Sequence, residues 1–215
     1  MNENFSEIHY DVTKKSKIRK FYENSKFLIF SFIFITIISI ISINFYLISK
    51  EKKNILLSDR YMKAKIYLEG GEKNKAIDTL KKIIAENHKT YSTLSFFLVI
   101  NENLIQDRKE VTKLFNYILE NNDFEYELKN LIIYKKALYE SDFVSEKELL
   151  ETIKPLINKD TQWKPLALLV AGDYFFYKKE YLKAKEFYMQ ILSLKNLHQE
   201  LYDQARFQLA AISND

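Results

Sequence analysis

From Phe27 to Ile48 the chain reads FLIFSFIFITIISIISINFYLI, twenty-two positions without a charge, a proline or a glycine. At 1.5 Å per residue this predicts a helix about 33 Å long, enough to cross a hydrocarbon core of about 30 Å. Ser31, Thr36, Ser39, Ser42 and Asn44 are the polar residues inside it. Hydroxyls can bond back to their own helix, and Asn44 lies near one end, so none of them needs a partner. No two small residues stand four apart, so the close-packing dimer pattern is missing. The rest of the chain has no comparable run; its apolar residues return at helical spacing instead.

A secretory signal would carry a shorter apolar core followed by a small-residue cleavage site. Here Ile48-Ser49-Lys50-Glu51-Lys52-Lys53 follows the core, which predicts an uncleaved anchor. Lys14, Lys15, Lys17, Arg19, Lys20 and Lys26 precede the span; Lys50, Lys52, Lys53, Arg60 and Lys63 follow it. The near-equal counts give the positive-inside rule almost no purchase on orientation. The organisation expected is a basic cytoplasmic leader at 1–26, a transmembrane helix at 27–48 and a helical repeat domain at 51–215.

The repeat shows most clearly after Pro165. In PLALLVAGDYFFYKKEYLKAKEFYMQILSLKN, Gly172, Phe175, Tyr181, Ala184, Tyr188 and Ile191 fall at offsets that suit a helix hairpin. Small residues at 172 and 184 let two helices approach, large residues fill the space above and below, and Lys178-Lys179-Glu180 makes the polar turn. Ala64, Tyr67, Ala76, Leu80 and Ile83 repeat the register, with Gly70-Gly71 at the turn. This resembles the tetratricopeptide repeat, a helix–turn–helix unit of about 34 residues. Between 91 and 160, helical spacing persists without evident small residues at the crossings, which predicts less regular packing there. Tyr202, Ala205, Arg206 and Leu209 are expected in a final helix that caps the stack. No heptad persists over three or four turns, which argues against a coiled coil.

Composition sharpens the fold class. Three glycines and two prolines in 215 residues are too few for the turns of a β-sandwich or a doubly wound sheet. The expectation is all-α: one N-terminal transmembrane helix, then a tetratricopeptide-like α-solenoid. The net charge is +4, and the basic leader carries much of it. The repeat segment is nearly neutral and has no electrostatic footprint for nucleic acid. The chain has no cysteine, which excludes disulfides, thiol catalysis and cysteine-ligated metals.

The leader adds a closer likeness. Ile18-Arg19-Lys20-Phe21-Tyr22-Glu23-Asn24-Ser25-Lys26-Phe27-Leu28 enters the span with basic residues, an aromatic pair and a Glu-Asn-small-Lys run. Phe5-Ser6-Glu7-Ile8 adds to it. Together with the order leader, anchor, repeats, this resembles the single-pass bacterial inner-membrane proteins with a periplasmic tetratricopeptide domain. That family is ancillary to the SecYEG translocon and related in its repeats to the cell-division coordinator family. The chain departs from it at Ser25, where the family usually has glycine, and in its weak middle repeats. The resemblance implies a cytoplasmic N-terminus, a periplasmic repeat domain, contact with Sec components and chaperone-like handling of exported client polypeptides.

Candidate chemistry is sparse. His9, His88 and His198 are scattered, and none has a second ligand at helical spacing. No phosphate loop, dinucleotide fingerprint, nucleophile elbow or zinc helix motif occurs. Glu146, Glu148 and Glu151 suit the dipole of a helix start, and Trp163, just before Pro165, suits a loop packed on a helix. The sequence therefore predicts no enzyme, no cofactor, no metal and no small-molecule substrate. What it offers is surface. In a stack of repeats the first helices line one face, and in the two clear repeats the outward positions are Tyr61, Lys65, Leu68, Leu169, Asp173, Phe176 and Tyr177. Aromatics with single charges suit a peptide-binding groove; packing on the neighbouring repeat is the competing role for Leu169 and Phe176. A cell-envelope assembly or division scaffold and a cytoplasm-facing adaptor are the alternatives to the translocon setting.

Overall fold

A computed structural model describes residues 17–159 and 161–213. Most of the leader, including Phe5–Ile8 and His9, lies outside the described residues. Nine helices account for most of the rest: α1 Lys17–Glu69, α2 Lys73–Ile84, α3 Tyr91–Asn101, α4 Arg108–Asn121, α5 Tyr126–Glu140, α6 Glu146–Ile157, α7 Lys164–Tyr177, α8 Tyr181–Leu192 and α9 Gln199–Ser213. There is no strand among the described residues. The chain divides into two compact units, Met1–Leu56 and Leu57–Asp215.

Among its described residues, the first unit is the part of α1 up to Leu56, with the apolar run at its centre. It is long and apolar enough to cross a membrane. From Phe27 to Ile48 nearly all of its large side chains are exposed, the arrangement expected of a helix that faces lipid. Its polar groups turn inward on the helix itself. Thr36 Oγ1 donates to the Ile33 carbonyl at 2.7 Å, Ser39 Oγ to Ile35 at 2.9 Å and Asn44 Nδ2 to Ile40 at 3.0 Å. Each of the three thus spends a donor inside the helix, which lowers the cost of placing it in hydrocarbon.

In the second unit, four second helices bury the same pattern. Ala76, Leu80 and Ile83 on α2 recur as Val111, Phe115 and Ile118 on α4, Leu149, Ile153 and Leu156 on α6, and Ala184, Tyr188 and Ile191 on α8. Steps of four then three keep one stripe of each helix facing inward. The first helices carry a matching pair. Ala64 and Tyr67 stand twelve and nine residues before Ala76, as Gly172 and Phe175 stand before Ala184. Ala137 and Glu140 hold the same places before Leu149. The sequence expectation of no small residue at the middle crossings is thus corrected for α5: Ala137 is fully buried there. What departs from the pattern is Glu140, a buried carboxylate where Phe175 has its counterpart.

For α3 the expectation holds. Phe96 is fully buried and meets Phe115 of α4 edge-on at 5.0 Å. Two rings occupy space that Ala64 and Gly172 leave open in the clear pairs. Accordingly α3 and α4 pack more sparsely than α7 and α8.

Turn chemistry repeats too. Each of three first helices ends in an overlapping pair of backbone bonds: Glu72 N–H to Tyr67 with Gly71 N–H to Leu68, Leu104 to Val99 with Asn103 to Ile100, and Glu180 to Phe175 with Lys179 to Phe176. This closure needs a left-handed residue. Gly71, Asn103 and Lys179 supply it, with φ of 76°, 47° and 62°. From α2 to α9 each helix packs on its chain neighbour, and α5 with α7 and α7 with α9 also meet. The apolar core forms two clusters that meet on α5, where Ile132 belongs to one and Ile133 to the other. Buried Ala205 docks α9 onto the second.

Candidate functional site

Aligned on the turn residues Gly71, Asn103 and Lys179 for α1, α3 and α7, and on Ala137 for α5, the first helices have equivalent positions. The place one residue after the crossing position holds Lys65, Phe97, Leu138 and Asp173. Five after it stand Glu69, Asn101, Asp142 and Tyr177. The structure brings part of this series together. A recess of about 490 Å³ lies between α5 and α7, bordered by Leu138, Asp142, Val170, Asp173 and Tyr177. A second, of about 420 Å³, continues from Leu138 and Asp142 to Ile100 on α3. The two form one groove along the first helices.

Its lining mixes exposed apolar side chains with charges. Leu138 is 45% exposed and Tyr177 84% exposed, although both side chains are large and neither serves the core. Asp142 and Asp173 set negative charge along the groove, and Lys135 and Lys178 border it with positive charge. Asp173 is held from behind: Tyr188 Oη on α8 donates to its Oδ1 at 2.7 Å. Burial raises the Asp173 carboxyl above the usual carboxylate range, and the Tyr188 hydrogen bond partly offsets that. Burial, then the Asp173 hydrogen bond, pushes the Tyr188 phenol well up.

Of the seven residues proposed from sequence, Asp173 and Tyr177 border this groove. Leu169 does not. It is 8% exposed and belongs to the core, because its helix face is covered by neighbouring helices. Phe176 is half-buried against the same core, with its ring 5.7 Å from that of Tyr181. Tyr61 and Leu68 pack on the other cluster, and the Tyr61 ring lies 6.4 Å from Tyr91. Lys65 is exposed but borders neither recess. Sequence reasoning missed Ile100, Leu138 and Asp142. Once α5 is paired with α6, the twelve-residue spacing from Ala137 to Leu149 gives the register that places Leu138 and Asp142; Ile100 on α3 has no such signal.

The other residues singled out have structural roles. Trp163 Nε1 donates to Glu127 Oε2 at 2.6 Å, and its ring packs 5.8 Å from Tyr134, tying the start of α7 to α5. Ser145 caps α6 in a box with Glu148. Glu146 accepts from Lys183 Nζ at 2.8 Å. His88 Nδ1 accepts the Tyr91 N–H at 3.2 Å at the entry to α3. Among the described residues, no group of three His, Asp or Glu side chains is placed to hold a metal ion. The groove's chemistry is that of contact: exposed apolar side chains, an exposed phenol, charges of both signs.

No family model matches the chain, and no curated protein or solved structure matches it either.

Proposed function

We propose that this protein is a membrane-anchored, tetratricopeptide-like scaffold that holds polypeptide segments in the groove along α3, α5 and α7. The observation that carries the reading is the groove itself. Register-equivalent positions on successive first helices leave Leu138 and Tyr177 exposed side by side with Asp142 and Asp173. Exposed aromatic and aliphatic anchors flanked by single charges are the features that capture peptides. The α1 segment from Phe27 to Ile48 supports the anchor, since its length and the internal bonds of Thr36, Ser39 and Asn44 suit a bilayer.

The setting we propose is the bacterial inner membrane, with the N-terminus cytoplasmic and the repeats periplasmic, beside the Sec translocon. There the groove would receive exported polypeptides in a chaperone-like role. The order of leader, anchor and repeats, with its likeness to the translocon-associated family, supports this. Alkaline phosphatase fused after residue 215 tests the orientation: an active reporter is expected, and an inactive one contradicts it. Crosslinking in native membranes followed by purification tests the partner. Sec components and many substoichiometric envelope proteins are expected; one stoichiometric partner without Sec would favour a fixed envelope scaffold.

A further inference from the structure

The second helices are laced together by ion pairs at two of their three junctions. Lys81 on α2 pairs with Glu110 on α4, and Lys183 on α8 pairs with Glu146 on α6 at 2.8 Å. Between α4 and α6 no ion pair occurs among the described residues. A recess of about 830 Å³ opens there instead, adjoining the groove at Arg108 and Phe143.

Two of the three acids on its floor and far wall, Glu140 and Glu148, have partners. Glu140 is 3% exposed; Lys136 lies 3.8 Å from it, and Thr152 Oγ1 donates to it at 3.3 Å. The Glu148 carboxylate accepts the Ser145 N–H at 2.9 Å and its hydroxyl at 2.6 Å. Glu151 is the remaining acid. The α4 wall is different. Arg108, Lys109 and Lys113 line it, all exposed, and none stands within ion-pair distance of an acid among the described residues. Lys109 and Lys113 are like charges one helical turn apart, an arrangement that weakens a helix when nothing answers it. The Arg108 guanidinium lies over the Phe143 ring at 5.0 Å, which holds its charge at the mouth of the recess.

We propose that the α4–α6 recess is a second polypeptide-binding surface, fitted to an acidic segment that lays its carboxylates along α4 and one apolar side chain over Phe143 and Val144. Charge complementarity selects the occupant. A nucleic acid or another uniform polyanion would press charge against Glu148 and Glu151 as well; a polypeptide directs its acids to one wall alone. The inference goes beyond the groove and does not depend on it.

The test uses the full chain in phosphatidylcholine nanodiscs and a fluorescein-labelled Glu-Glu-Leu-Asp-Glu peptide, read by fluorescence anisotropy. A Lys-Lys-Leu-Arg-Lys peptide and a single-stranded oligonucleotide serve as comparison probes. The acidic peptide should bind and the other two should not. Lys109→Glu with Lys113→Glu should weaken binding by about tenfold or more, Glu151→Gln should tighten it, and Leu182→Ala on α8 should leave it unchanged. Added salt should weaken it. Absent binding of the acidic peptide overturns the proposal. So does an affinity unmoved by the double lysine substitution in protein with an unchanged thermal melt, or equal binding of the oligonucleotide.

Discussion

A methyl group placed on Gly172 would stand 2.5 Å from Cε1 of Tyr188. The glycine on α7 and the tyrosine on α8 are therefore fitted to each other. In the first helix pair the same two places hold Ala64 and Leu80, a larger residue facing a smaller one. Gly172→Ala should cost about 1–3 kcal/mol, since the ring must leave its site. In a Tyr188→Leu background the same change should cost much less, because the Ala–Leu combination already works at 64 and 80. A double-mutant cycle by chemical denaturation measures the coupling; additive costs would mean that the two sites do not share space.

The three left-handed turn residues differ in what they tolerate. Lys179 adopts φ of 62° with a side chain that disfavours it, whereas Gly71 at 76° has none. Lys179→Gly should raise stability by up to about 1 kcal/mol, and Gly71→Ala should lower it by a similar amount. Thermal melts of both variants check the pair of signs.

Tyr177, Phe176 and Ala184 should separate binding from folding. Tyr177 is exposed, so Tyr177→Ala should weaken client capture and leave the melting temperature near its original value. Phe176 packs on the core, so Phe176→Ala should lower the melting temperature. Ala184 is fully buried, and Ala184→Leu should overfill the crossing at a cost of about 1–3 kcal/mol. Melts and pulldown of the three variants together read the outcome.

Glu140 should leave a mark on the pH dependence of stability. Burial is the main cause of its raised carboxyl, with Lys136 and Thr152 opposing. A group whose pKa is raised on folding binds its proton more tightly in the native state. Its contribution is then most favourable at pH below the ordinary carboxyl value and declines as pH rises from that value through the folded one. Glu140→Gln keeps an acceptor for Thr152 and removes the titration. The stability difference, wild type minus variant, should fall as pH rises from about 4 toward neutrality. Parallel profiles would show that Glu140 ionises in the fold as it does in the unfolded chain.

The apolar run from Phe27 to Ile48 was legible because length and apolarity can be counted; that the helix runs unbroken from Lys17 to Glu69 was not. The helix pairs around Gly172 and Ala64 were legible because glycine and alanine at a crossing leave a distinct spacing. The middle pairs were not. Phe96 fills a crossing that elsewhere is small, and Glu140 puts a charge where the pattern expects a ring, so α3 and α5 could not be set in register from their own residues. The four–three spacing of Val111, Phe115, Ile118 and of Leu149, Ile153, Leu156 was present, but each triplet alone fits any amphipathic helix. Without that register, Leu138 and Asp142 could not be placed beside Tyr177. Leu169 failed for another reason: helical phase shows which way a residue points on its own helix, but not which neighbour covers it.

The groove is the centre of the account, and site-specific photocrosslinking tests it most directly. A photoreactive residue is placed at Leu138, at Tyr177 or at Leu182 on the outer surface of α8, and native membranes are irradiated during protein export. Polypeptide adducts at 138 and 177, with few at 182, are the expected result. No adducts at 138 and 177, or equal labelling at all three, would contradict the assignment of the binding face.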